Sequence, residues 1–77
     1  MTEQQVLEAI RKSLRLPQLD GSERMGSVRG WDSMRHVRLM LDLERETGTR
    51  IPIDQFGELT SVAAIMAHFR SGGRLAA

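Results

Sequence analysis

The sequence predicts an all-α fold, a small four-helix bundle of three main helices and one short helical turn, with a long first loop. Three stretches of the chain repeat apolar residues at the spacing of an amphipathic helix. No stretch shows the strict alternation of apolar and polar residues that is typical of a half-buried strand. One further segment has a helix-start residue but contains a glycine, and it predicts a single turn.

The length of the chain limits what the fold can hold. A chain of 77 residues can form one domain with one modest core, and it buries roughly 60% of the surface that is exposed when unfolded. We expect a single domain over residues 1–77, ordered from about residue 3 to about residue 70, with a tail over 71–77 that frays. Such a domain has little room for a deep catalytic cleft, which favours a carrier or interaction module over an enzyme.

The first helix is predicted over residues 3–15. Thr2 is a suitable N-cap, and Pro17 ends the helical pattern. Four residues form its apolar face: Val6, Leu7, Ile10 and Leu14. A long loop is then predicted over residues 17–31, because this segment holds three glycines and a proline, and loops of such length are often functional. Four side chains are expected to anchor the loop to the core: Leu19, Met25, Val28 and Trp31.

The second helix is predicted over residues 33–47 and ends before Gly48, which suits a left-handed C-terminal position. Its polar residues gather on one side: Arg35, Arg38, Asp42, Arg45 and Glu46. Its apolar residues fill an arc that is wider than one helix–helix contact needs: Met34, Val37, Leu39, Met40, Leu41 and Leu43. Glu44 falls inside this arc, and the sequence gives no reason for it.

The last third of the chain predicts an extended stretch, a turn and a helix. Residues 49–53 are expected to be extended, since the proline within them disfavours a helix at the residue before it. Asp54 can cap a single helical turn over 54–59, and Thr60 or Ser61 can cap the last helix. The last helix has a continuous apolar stripe: Val62, Ile65, Met66 and Phe69.

The composition excludes several classes of protein. Eleven basic residues balance ten acidic ones, and without a dense basic run no nucleic-acid partner is expected. The absence of cysteine rules out a disulfide framework and a thiolate site. The N-terminal segment is polar and acidic, and no apolar stretch is long enough to span a membrane. We therefore expect a cytoplasmic monomer that does not insert into membranes.

Ser33 stands at the start of the second helix, where its residue type suits three roles. A nucleophilic serine needs a nearby base, and His36 lies about one turn away, but Arg35 stands where the second glycine of a G-x-S-x-G turn would be. We interpret His36 as a solvated helix residue. A serine or aspartate at this point also suits a helix cap, which Asp32 or Ser33 could provide. Finally, a hydroxyl at a helix start lies beside free N–H groups and the positive end of the dipole, which favour a phosphate.

The segment WDSMRHVRLMLDLERETGTRIP resembles the region of acyl carrier proteins, the family of acyl and peptidyl carriers, around their prosthetic-group serine. In that family an Asp-Ser-Leu tripeptide opens the second helix. Asp32, Ser33 and Met34 stand here at those positions, with Met in place of Leu, and Ile51 and Pro52 match the family's Ile-Pro. Other matching positions are Val37, Leu39, Leu43 and the run Leu59–Val62. The resemblance extends over nearly the whole chain.

The resemblance implies a non-catalytic carrier domain with no metal site of its own. A phosphopantetheinyl transferase, with its own magnesium, would transfer 4′-phosphopantetheine from coenzyme A to Ser33. The domain would hold acyl or aminoacyl groups as thioesters and present them to loading and processing enzymes. These would belong to a fatty-acid, polyketide, nonribosomal-peptide or related pathway. Asp32 would be read by the transferase or only cap the helix, and Met34 would touch the arm or a partner or pack in the core.

Partner recognition is expected to depend on residues near Ser33. Most carriers of this family are acidic, whereas Arg35 and Arg38 stand here where acids are common. Unless these arginines are merely solvated, a dedicated enzyme with an acidic patch should dock better than generic fatty-acid synthase enzymes. Val37 would contact a partner or, as we favour, pack in the core, and Trp31 would anchor the loop or contact a partner. Thr47 replaces a large apolar residue, and the lost core volume suits a short, polar or aminoacyl cargo at least as well as a long chain.

Two other classes of function stay open. A helical protein-binding module that never receives the cofactor would use Ser33 only at the helix start, although the intact Asp32–Ser33 pair argues against it. A small DNA-binding domain would use the arginines. Against that class, Arg35 and Arg38 share their face with acidic residues, which would in part repel phosphates.

Overall fold

The computed structural model describes residues 1–72, and its secondary structure confirms the predicted all-α class. The elements are α1 (Glu3–Leu14), α2 (Ser33–Thr47), a 3₁₀ helix (Ile53–Glu58) and α3 (Val62–Ser71). Between residues 1 and 72 the only β-type pairing consists of two isolated bridges. Of the tail that we expect to fray, Ser71 still ends α3, and residues 73–77 lie outside the described part of the chain.

The helix ends follow local hydrogen bonds that the sequence provides. Thr2 caps α1 in a capping box: its hydroxyl accepts from the N–H of Gln5 at 3.1 Å, and the Gln5 side chain accepts from the N–H of Thr2 at 2.9 Å. At the other end Arg15 adopts the left-handed conformation with φ 57°, so α1 stops at Leu14, three residues before Pro17. The predicted cap is confirmed, and the predicted end is correct to one residue.

The core is formed by one face of each α-helix together with anchors from the connecting segments. Its buried apolar residues are Val6, Ile10, Leu14, Trp31, Leu39, Met40, Leu43, Ile51, Leu59, Val62, Ile65, Met66 and Phe69. The stripe predicted for the last helix is buried in full. The loop anchors are confirmed as well, because Trp31 is buried and Leu19, Met25 and Val28 pack half-buried against the core.

The wide apolar arc of α2 is divided between two faces. Its buried residues are His36, Leu39, Met40 and Leu43. Met34, Val37 and Leu41 are 83%, 47% and 52% exposed. These three residues and Glu44 follow one another at helical spacing along the outer side, which explains both the width of the arc and the position of Glu44. The core packing that we favoured for Val37 is therefore wrong.

The 3₁₀ helix begins one residue earlier than the predicted turn. It spans Ile53–Glu58, starts after Pro52 and has no side-chain cap. Asp54 lies inside its first turn and is not a cap, because the fixed φ of the proline already sets the start of the helix. Ser61, one of two candidates, caps α3 by accepting from the N–H of Ala64 at 3.0 Å.

Thr47 has a role that an argument from core volume missed. Its hydroxyl donates to the carbonyl oxygen of Leu43 at 2.7 Å and accepts from the N–H of Thr49 at 3.2 Å. The next residue, Gly48, is left-handed with φ 67° and ends α2 as predicted. A large apolar side chain could make neither hydrogen bond, so Thr47 fastens the chain where the helix ends.

A polar contact joins α1 to α2. Buried Ser13 donates to Oδ2 of Asp42 at 2.7 Å, and Arg38 and Arg45 donate to Oδ1 at 3.2 and 3.0 Å. Burial alone would raise the pKa of Asp42. The hydrogen bonds from Ser13 and Arg38 and the charges of both arginines outweigh it and lower the pKa below its ordinary value of 3.8. The folded state therefore favours the ionised carboxylate.

We expect Asp42→Asn to lower the free energy of unfolding by about 1 kcal/mol near neutral pH, since both arginines are largely exposed and only the Ser13 contact is shielded. The folded-state pKa lies below the unfolded value, so this stabilisation is complete well above about pH 3.8. It is lost as the pH falls through the folded-state pKa. Urea unfolding of both proteins should show their difference shrinking in acid. A difference that grows in acid would contradict the assignment, because the other carboxylates are common to both proteins.

Candidate functional site

Ser33 is the first residue of α2, and its neighbour performs the capping. Asp32 has an extended backbone, and its Oδ1 accepts from the N–H of Arg35 at 2.8 Å. Ser33 is exposed, and no side-chain hydrogen bond within residues 1–72 involves its hydroxyl. Of the two predicted caps, Asp32 is thus the one used. The Ser33 hydroxyl is left free for chemistry.

An open groove of about 370 Å³ lies against the start of α2. Its lining residues are Gly30, Asp32, Met34, Arg35 and Arg38. Four of the predicted site residues therefore share one groove around the chain segment that holds Ser33. The first N–H groups of a helix lack intrahelical acceptors and carry the positive end of the dipole, and the first turn of α2 has no acidic residue after its cap. The site accordingly suits a covalently attached group that carries negative charge.

His36 is buried, with 5% of its surface exposed, and it takes no part in chemistry at Ser33. Its Nδ1 accepts from Nε1–H of Trp31 at 3.0 Å, which assigns the ring proton to Nε2, and Nε2 donates to the carbonyl oxygen of Phe56 at 2.8 Å. Both ring nitrogens are occupied, so neither can serve as a base for Ser33. The prediction of a solvated His36 is wrong, because this position of α2 faces the core.

Trp31 is 2% exposed and belongs to the core. A buried ring cannot touch a docked protein, so the predicted partner contact of Trp31 is wrong, and the alternative role as a loop anchor is confirmed. Its ring lies 6.0 Å from that of His36, centroid to centroid. No pattern in the sequence pairs these two residues, which lie on opposite sides of Ser33.

The remaining predicted residues, together with Leu41, form an outer surface of α2, which we call the α2 surface: Met34, Arg35, Val37, Arg38 and Leu41. Arg38 bonds to Asp42, whereas Arg35 makes no ion pair within residues 1–72. Sequence reasoning did not single out Leu41 as a surface residue, although its place four residues after Val37 is a usable signal. It also missed Ile53, which is 81% exposed at the start of the 3₁₀ helix.

Comparison with known proteins bears on this site directly. A family model described as the phosphopantetheine attachment site matches residues 4–69, a range that includes Ser33 and the whole α2 surface. Comparisons with curated proteins and with solved structures gave no match. In the part of the chain that is described, no helix is long and apolar enough to cross a membrane. The same part holds no cluster of three or more metal-ligand side chains.

Proposed function

We propose, because this chain belongs to the phosphopantetheine attachment site family, that Ser33 carries the family's cofactor, 4′-phosphopantetheine. The chain is a carrier domain, and the observation that supports Ser33 as its attachment residue is the free hydroxyl at the first position of α2. When bound, the cofactor supplies a terminal thiol that holds an acyl or aminoacyl group as a thioester, which suits a chain without cysteine. Asp32 keeps α2 capped, so attachment at Ser33 leaves the helix start intact.

The partners that we propose are a phosphopantetheinyl transferase and the loading and processing enzymes of a fatty-acid, polyketide, nonribosomal-peptide or related pathway. The test is the intact mass of the protein after incubation with coenzyme A, magnesium and a broad-specificity transferase. We expect the addition of one phosphopantetheine group per chain. No addition with several transferases would contradict the proposal and favour a binding module that is never modified.

Asp32 caps α2, and Asp32→Asn tests whether the transferase also reads its carboxylate. Asparagine caps a helix as well as aspartate, so this variant should keep the free energy of unfolding within about 0.5 kcal/mol, while Asp32→Ala should lose about 1 kcal/mol. If the transferase reads the carboxylate, both variants should be modified at least about tenfold more slowly, equivalent to about 1.4 kcal/mol. Equal modification rates for Asp32→Asn and the wild type would leave Asp32 with capping alone.

The α2 surface suits an acidic partner. Three arginines, Arg35, Arg38 and Arg45, lie along this side of α2, and Asp42 accepts hydrogen bonds from two of them. In the first half of α2, nearest Ser33, the charged residues are the basic Arg35 and Arg38, whereas the acidic residues of the helix lie in its second half. These two arginines border the exposed side chains of Met34, Val37 and Leu41. We propose that the partner enzyme presents an acidic patch beside an apolar one at the mouth of its active site.

Reversing two charges on this surface tests the proposed partner chemistry. Arg35→Glu with Arg38→Glu should lower kcat/KM of the loading enzyme for the carrier by about tenfold or more at low salt, because like charges slow the encounter, and the effect should shrink as salt is added. The matched control is Arg24→Glu with Arg29→Glu, which changes the net charge equally at two exposed loop residues. Unchanged kinetics, or an equal loss in the control, would contradict docking through the α2 surface.

A further inference from the structure

Ser33 lies at the boundary between the buried and the exposed side of α2. At about 100° per residue, its neighbours one turn later are His36, which is buried, and Val37, which is exposed. An apolar chain tethered at Ser33 would leave water wherever packing lets it in. On the buried side, a chain that turns inward from Ser33 meets His36 first, at the seam where α2 contacts the 3₁₀ helix.

Two hydrogen bonds, one buried and one partly buried, close this seam. Trp31 donates its indole N–H to Nδ1 of His36 at 3.0 Å, and His36 donates from Nε2 to the carbonyl oxygen of Phe56, in the 3₁₀ helix, at 2.8 Å. Trp31 precedes Ser33 by two residues, and His36 follows it by three. The two bonds therefore fasten the chain on both sides of Ser33 to the 3₁₀ helix.

The core side chains of α2 and α3 are covered from solvent. Met40, Ile65 and Phe69 are at most 1% exposed, and a close-packed interior admits extra methylene groups only by shifting side chains. A chain that entered here would also separate three polar groups: an indole N–H, a ring N–H and a backbone carbonyl. Polar groups that lose their partners away from water are costly, so breaking the two hydrogen bonds adds to the cost of shifting side chains.

We infer that Trp31 and His36 form a clasp that keeps the cargo outside the bundle, and that the cargo is a short or polar acyl group. The inference rests on the proposed attachment at Ser33 and adds the class of cargo to it. A long alkyl chain held outside the bundle keeps its apolar surface in water between partners, whereas an acetyl or aminoacyl group exposes little. Trp31 and His36 are thus specificity-determining residues that never touch the thioester.

The experiment loads Ser33 with acetyl, hexanoyl and decanoyl groups, using the matching acyl-coenzyme A and a broad-specificity transferase. The protein has one tryptophan, so its indole N–H gives a single signal in a heteronuclear NMR spectrum. We expect the position of this signal and the melting temperature to be the same for all three cargoes. A signal that shifts and a melting temperature that rises with chain length would overturn the inference, because both mark a chain inside the bundle.

A pair of variants ties the result to the clasp. Trp31→Phe keeps an aromatic ring and removes the indole N–H, so its decanoyl form should melt higher than its acetyl form. Ser13→Ala removes a buried hydrogen bond between α1 and α2 and is the matched control, with equal melting temperatures expected for both cargoes. If the decanoyl and acetyl forms of Trp31→Phe melt alike, the clasp does not exclude the chain, and the inference fails.

Two further outcomes are separable. If Trp31→Phe does not fold, His36→Gln replaces it, because glutamine keeps a donor near the position of Nε2 and loses the acceptor at Nδ1. This variant is expected to show the same rise in melting temperature, and no rise would overturn the inference.

A wild-type protein that accepts none of the three groups would contradict the proposed function and the inference together. Attachment followed by burial of the chain would overturn the inference alone.

Discussion

Ser33→Ala takes up no phosphopantetheine under conditions in which the wild type takes up one group per chain; this is the largest effect that we expect. The side-chain oxygen of Ser33 is the atom that would form the phosphodiester, and alanine has no atom to replace it. The fold should be unaffected, because Ser33 is exposed and Asp32 provides the cap of α2. We expect the free energy of unfolding to change by less than about 0.5 kcal/mol. Intact-protein mass and urea unfolding measure the two quantities separately.

The matched control is Ser27→Ala, which removes another exposed serine, in the long loop. Its modification by the transferase should equal that of the wild type. Phosphopantetheine on Ser33→Ala would place the attachment site at another hydroxyl and contradict the proposed function of Ser33. Loss of modification in both variants would point to a general defect in transferase recognition.

His36→Ala should cause the largest loss of stability, about 3 kcal/mol or more. The substitution leaves the buried indole N–H of Trp31 without a partner, which costs about 1–3 kcal/mol. It also removes the partly buried hydrogen bond to the carbonyl of Phe56 and leaves a cavity where the buried ring stood. At the usual stability per residue, a folded chain of 77 residues is stable by roughly 4–12 kcal/mol, so this loss is a large fraction of the total. Urea unfolding followed by circular dichroism gives the difference directly.

His68→Ala is the comparison for this prediction. His68 is half-buried, and its ring meets Phe69 edge-on with centroids 5.3 Å apart. Its replacement should cost about 1 kcal/mol or less, because only a contact between rings is lost. Equal losses of unfolding free energy for the two variants would show that the hydrogen bonds of His36 do not stabilise the fold more than the ring contact of His68 does.

The helices could be predicted because their limits follow from neighbouring residues. The Thr2 cap, the left-handed Gly48 and the stripe of α3 each depend on contacts within a few positions of the chain. The choice between Asp32 and Ser33 as the cap of α2 could not be made in this way. Both residue types suit the position, and a shift of one residue in the helix start decides between them.

The surroundings of Ser33 depend on contacts between distant parts of the chain. A wide apolar arc on α2 does not reveal which residues α1, α3 and the 3₁₀ helix will cover, so the sequence alone does not show that Val37 is exposed. The prediction that His36 is exposed is wrong for a related reason. Its partner Phe56 lies 20 residues away along the chain, so no local pattern reveals their hydrogen bond. The attachment that we propose for Ser33 follows from the family resemblance, and the physical support for it, a free hydroxyl beside an independent cap, needed the three-dimensional structure.

The use of Asp32 as the cap of α2 also bears on how long the protein lasts in a cell. A group added to Ser33 would replace no hydrogen bond of the fold. The unmodified and the phosphopantetheinylated forms should therefore unfold equally often. Proteases act on the transiently unfolded fraction, so both forms should be degraded at the same rate. Unmodified protein would then accumulate during a shortage of coenzyme A, and it could be modified when coenzyme A is available again.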